Sequence, residues 1–115
     1  MRFTAALVLL SLAAVAQSAG VIMQACNGAD TGSPCVNYDG TLPSACIELS
    51  TGGQDNTVSS VTLSPFASSC TLFADVGCTG SSVKVAQTFI NLADVGFDNV
   101  ASSFECAPGS HPDNA

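Results

Sequence analysis

At 115 residues the chain has room for one small domain. Nine acidic side chains stand against two basic ones, a formal charge of −7. So few cations cannot neutralise phosphates, which excludes nucleic acid and anionic membranes as partners and leaves multivalent cations as natural counter-ions.

Arg2 gives a short positive start, residues 5–16 are an apolar run of Ala, Leu and Val, and small residues follow in Ala16-Gln17-Ser18-Ala19-Gly20. Residues 1–20 read as a secretory signal peptide with cleavage between 16 and 20, too short and wrongly flanked for a membrane anchor. The expected product is a soluble, secreted monomer with Lys84 as its one Lys or Arg. A core of that size stabilises marginally and calls for added constraint.

Six cysteines supply it: Cys26, Cys35, Cys46, Cys70, Cys78 and Cys106. An even number in a secreted chain reads as three structural disulfides. Cys35 and Cys46 suit a pairing across a hairpin. Cys70 and Cys106 flank the second half, but Cys106 is equally open to Cys26 or Cys46. Metal binding through thiols is disfavoured, because no C-x-x-C pair exists and the one histidine, His111, lies near the C-terminus.

Helical periodicity is absent, and short β-branched runs are broken by Gly, Asn and Asp, so the domain is expected to be all-β and antiparallel. Strands are expected over residues 21–26, 46–49, 58–63, 70–74, 82–87 and 101–106. Residues 64–69, with Pro65 and three serines, read as a connector, and residues 107–115 as a disordered tail.

One stretch occurs twice. Residues 49–60 and 92–103 share the frame L-x-x-x-G-x-D-N-x-x-S-S at every fixed position, 43 residues apart. A repeat of this kind indicates a duplicated unit, one spanning about residues 21–64 and the other 70–106. The alignment equates Val61 with Phe104 and Leu63 with Cys106, so the segment after each Ser-Ser is expected to be a core strand.

The second unit opens with Phe73, has Gly80 seven residues later, and ends with Ser103 at the start of its last strand. This resembles a Greek-key motif of the βγ-crystallin superfamily, with Cys78 where a second aromatic residue is common. A disulfide there would compensate. The first unit resembles it more loosely, with Gly32 aligned to Gly80 but Ala25 at the aromatic position. The resemblance, closest to small secreted microbial and fungal members, covers residues 21–106. It implies two four-stranded Greek keys packed as a two-sheet sandwich about a pseudo-twofold axis.

The same resemblance implies calcium, held through N/D-N/D-x-x-S/T-S once per motif. Asp55-Asn56-Thr57-Val58-Ser59-Ser60 and Asp98-Asn99-Val100-Ala101-Ser102-Ser103 match it. The implied ligands are Asp55, Asn56, the Thr57 carbonyl and Ser59, with Asp98, Asn99, the Val100 carbonyl and Ser102. The two loops would share them, and hairpin carbonyls near Asp75 and Asn27 would add to them. Calcium takes six to eight oxygens from carboxylates, amides, carbonyls and hydroxyls, which is the chemistry on offer. About one carboxylate per site suggests a dissociation constant of ~10⁻⁵–10⁻³ M. The plainer reading is that Asp-Asn and Ser-Ser make a favourable turn into a strand.

Catalysis finds little footing: there is no G-x-S-x-G, no histidine within residues 21–106, and Asp98 is already absorbed by the repeat. The expected function is therefore a calcium-binding domain with a structural or binding role, an extracellular protein partner being left open. The rival is an antimicrobial toxin, host-interacting effector or proteinase inhibitor on the same fold. For an inhibitor the best exposed loop is residues 33–43, flanked by cysteines.

Overall fold

The computed structural model describes residues 20–109; the expected signal peptide up to residue 19, His111 and the rest of the tail from residue 110 lie outside them. Eight strands follow one another: β1 (Gly20–Gly28), β2 (Gly32–Gly40), β3 (Ile47–Glu48), β4 (Ser60–Leu63), β5 (Ala67–Asp75), β6 (Thr79–Val85), β7 (Phe89–Asn91) and β8 (Ser103–Pro108). Single 3₁₀ turns, Leu49–Gly52 and Leu92–Val95, precede the two Asp-Asn loops.

The strands form two four-stranded antiparallel sheets with orders β2-β1-β4-β7 and β3-β8-β5-β6. Each sheet thus takes three strands from one half of the chain and one from the other. This exchange makes two interlocked Greek keys rather than two independent hairpin sheets. Neither half can close its sheet alone, so the loops that carry the chain between sheets meet across the interface.

The core lies between the sheets. Val61 and Leu63 on β4 and Phe104 and Cys106 on β8 are all buried, as the repeat alignment requires. Met23, Leu72, Val85 and Tyr38 join them, and the Tyr38 ring meets Phe104 edge-on at 5.3 Å. Consecutive residues Ile22 and Met23 are both buried on β1 because a register shift between Val21 and Met23 interrupts the alternation there.

Six of these strands lie where the residue pattern places them; β2 and β7 do not appear in it. Both are edge strands. In β2 only Tyr38 is buried, and Pro34 and two flanking glycines disguise it, which an edge position tolerates. Most of the expected inhibitor loop, residues 33–43, is therefore paired strand. The connector is shorter than expected, since β5 begins at Ala67, and β8 continues to Pro108, past the expected start of the tail.

The disulfides are Cys26–Cys35, Cys46–Cys78 and Cys70–Cys106. The Cys35–Cys46 pairing is overturned, because Cys26 faces Cys35 directly across β1 and β2. Cys70 likewise faces Cys106 across β5 and β8. Cys46–Cys78 joins the two halves and fills the place left by the missing second aromatic.

Candidate metal centre

Each fixed residue of the repeat has a place in the structure. Leu49 and Leu92 are fully buried and start the 3₁₀ turns. Gly53 and Gly96 close them with φ of 72° and 70°, a left-handed conformation that glycine adopts without a Cβ penalty. Asn56 and Asn99 are also left-handed, at 58° and 61°, where Asn is among the best tolerated side chains. Leu, Gly and the backbone of Asn are thus accounted for by the turn.

The second serine of each pair clamps an opening hairpin. Ser60 donates its hydroxyl to the Gly28 carbonyl (2.8 Å) and accepts the Thr31 N–H (3.2 Å). Ser103 donates to the Asp75 carbonyl (2.6 Å) and accepts the Cys78 N–H (2.9 Å). These bonds also set the hairpin register. Gly28 matches Asp75, and Cys26, whose carbonyl accepts the Ser59 N–H, matches Phe73, whose carbonyl accepts the Ser102 N–H. The aromatic position of the first hairpin therefore belongs to Cys26 rather than Ala25, and the counterpart of Gly80 is not Gly32. Gly80 has φ of 83°, and a Cβ on it would strike the Asp75 carboxylate.

The first serine of each pair reaches across the pseudo-twofold axis. Ser102 donates to Oδ1 of Asn56 at 3.2 Å, and Ser59 donates to Oδ1 of Asn99 at 3.4 Å. The backbones cross as well: the Asn56 N–H bonds to the Ala101 carbonyl and the Asn99 N–H to the Val58 carbonyl, each at 3.0 Å. Each Asp-Asn loop is thereby laid against the serine, and the hairpin, of the opposite half.

Two centres result. One brings Asn56 of the first loop to Ser102, whose N–H bonds to Phe73 on the strand leading to the Asp75 hairpin. The other brings Asn99 of the second loop to Ser59, whose N–H bonds to Cys26 on the strand leading to the Gly28 hairpin. Asp55 and Asp98 are exposed beside their asparagines, with no hydrogen-bond partner among the described residues. Asn27 lies in the first hairpin, where a carbonyl was expected near it. It precedes Gly28, and its side-chain oxygen accepts bonds from Gln54 (3.0 Å) and Thr57 (3.3 Å).

The side chains gathered here are oxygen donors of the kind that calcium takes. Oxygen ligands about 2.4 Å from the ion and at right angles lie roughly 3.4 Å apart. The two cross-loop oxygen pairs, at 3.2 and 3.4 Å, have about that spacing, which is also that of the hydrogen bonds they make. No group of three or more His, Cys, Asp or Glu occurs among the described residues, so the oxygens come from amide, hydroxyl and carbonyl groups with scattered carboxylates.

Gln54 and Tyr38 did not emerge as site-related from sequence. Gln54 is buried in a position where the second copy has Phe97, and that polar-for-aromatic exchange inside the repeat was the available signal. Tyr38 donates to Gln54 Oε1 at 2.7 Å and more weakly to the Leu49 carbonyl at 3.3 Å. Burial pushes its phenol up to about 12.

A duplicated Greek-key sandwich with exchanged strands and paired loops defines the class. Among solved structures, a βγ-crystallin from Ciona intestinalis is similar at 20% identity and a TM-score of 0.61, covering 73% of this chain and 96% of that one. The N-terminal domain of protein S is similar at 22% identity and 0.63, with 77% and 98% covered. A βγ-crystallin from an archaeon is similar at 13% and 0.58, with 76% and 98% covered. No protein-family model matches the sequence, and no curated protein does. The chain has the βγ-crystallin fold.

Proposed function

We propose that this chain is a secreted calcium-binding domain with a structural or binding role, taking up to two ions at the paired loops. The observation that carries the reading is the pair of cross-loop oxygen contacts, Asn56–Ser102 and Asn99–Ser59. A turn requires Asn at those positions for its backbone. It does not require the side-chain oxygen to meet a serine of the opposite half, twice and symmetrically.

Asn56, the Thr57 carbonyl and Ser102 would hold one ion beside the Asp75 carbonyl. Asn99, the Val100 carbonyl and Ser59 would hold the other beside the Gly28 carbonyl. A bound cation would supply charge compensation between loops that belong to different halves, tying the Greek keys together. Secretion is supported by the N-terminal leader pattern and by three disulfides, which need an oxidising compartment to form.

Thermal unfolding in millimolar calcium against chelator tests this reading. Calcium at ~100 times its dissociation constant stabilises by about 2.7 kcal/mol, which raises the midpoint of a domain this small by several degrees. Equal midpoints would remove calcium and leave the fold.

A further inference from the structure

The two copies of the loop differ most in chemistry just before Asp-Asn, where the first has buried Gln54 and the second buried Phe97. A buried amide stabilises no better than an apolar side chain of similar size, and is costly unless each polar atom is paired. In Gln54 each is paired. Tyr38 donates to Oε1, while Nε2 donates to the Ala25 carbonyl (2.8 Å) and to Asn27 Oδ1 (3.0 Å). The Thr57 hydroxyl donates to the same Asn27 oxygen at 3.3 Å.

This chain of bonds starts in the core at Tyr38, crosses the first hairpin at Asn27, and ends on Thr57. The residue before Thr57 is Asn56, whose side-chain oxygen meets Ser102. The second loop has no such tether. Phe97 has no polar side-chain atom, and Val100, at the place of Thr57, has no hydroxyl. Besides packing and backbone bonds, residues 98–100 keep only the Ser59–Asn99 contact among the described residues, the counterpart of Ser102–Asn56 in the first loop.

We infer that Tyr38, Gln54, Asn27 and Thr57 form a positioning network that orders the first Asp-Asn loop before a cation arrives, making the Asn56–Ser102 centre the tighter of the two. The inference rests on the calcium reading and adds which site fills first and why. A loop already ordered loses less freedom on binding, so affinity rises without a new ligand.

Calorimetric titration of the disulfide-bonded protein with calcium chloride tests it. The wild type is expected to show a tighter and a weaker site, with Ser102→Ala abolishing the tighter. Thr57→Val keeps the side-chain shape and the Thr57 carbonyl but removes the hydroxyl. It is expected to weaken the tighter site about fivefold, the equivalent of one neutral hydrogen bond, and leave the other unchanged. Thr57→Ser restores the hydroxyl and the affinity. Asn27→Ala cuts the network from the hairpin side and is expected to weaken the tighter site as Thr57→Val does; since Asn27 precedes Gly28 of the other centre, the selectivity is read from Thr57→Val. A merely structural role would weaken both sites alike. That outcome overturns the inference, as does no change at either site, or loss of the tighter site in Ser59→Ala instead. A wild type that takes up no calcium removes the proposed function as well. Calcium uptake with affinities unmoved in Thr57→Val and Asn27→Ala removes the network alone.

Discussion

The two Greek keys close with the same loop but hold it by different means. In the first half a buried polar chain from Tyr38 through Gln54 reaches the loop; in the second, Phe97 packs in place of the amide. The opposite sheet positions differ in the same sense. Tyr38 faces Met23 as Val85 faces Cys70, so a phenol in one half answers an aliphatic side chain in the other. Duplication preserved the residues whose backbones the turn needs and let the interior diverge. Function in such a fold is to be sought where the copies differ as well as where they agree.

The largest expected effect breaks the comparison at Tyr38. Its phenol is raised to about 12 by burial, so the folded protein holds this proton more tightly than the unfolded chain does. Stability from this group is complete below about pH 10, where both states are protonated. Between about pH 10 and 12 the unfolded phenol ionises while the folded one does not, and stability falls by roughly 2–3 kcal/mol. Tyr38 is the sole tyrosine and there is no tryptophan, so phenolate absorbance reads it directly. Ionisation near pH 10 in the folded protein would contradict the burial of this phenol.

A smaller effect compares the hairpin clamps. Ser60→Ala and Ser103→Ala each remove two part-buried hydrogen bonds and are expected to cost about 1–3 kcal/mol. Ser103 should cost more, because its two bonds (2.6 and 2.9 Å) are shorter than those of Ser60 (2.8 and 3.2 Å). Denaturant unfolding in chelator measures both; equal costs, or costs near zero, would mean that the clamps do not distinguish the halves.

How much of this was legible from residues follows from where burial leaves a pattern. The repeat frame located both loops and both core strands, because Leu, Gly, Asn and Ser are each demanded by a specific backbone or packing need. The edge strands β2 and β7 were illegible, since an edge strand needs few inward side chains and tolerates Pro34. The first hairpin slipped by one residue in alignment because Gly32 seemed the match for Gly80. The structure instead anchors the register on serine clamps at Gly28 and Asp75, a constraint that acts through space. Cysteine pairing was legible only in part: Cys70–Cys106 was among the open choices, whereas Cys46 meets Cys78 only after the sheets exchange strands. Gln54 was visible as a letter, but only its contacts gave it a role.

On the proposed reading two cation centres are built across the pseudo-twofold axis, each from the loop of one half and the serine of the other. Serine is the residue to change, because replacing either asparagine would also disturb a left-handed turn. Equilibrium calcium binding should therefore be counted in the wild type, Ser59→Ala, Ser102→Ala and the double variant. Two ions are expected, then one, one and none, at calcium concentrations that saturate the wild type. Unchanged stoichiometry and affinity in the double variant would contradict the reading.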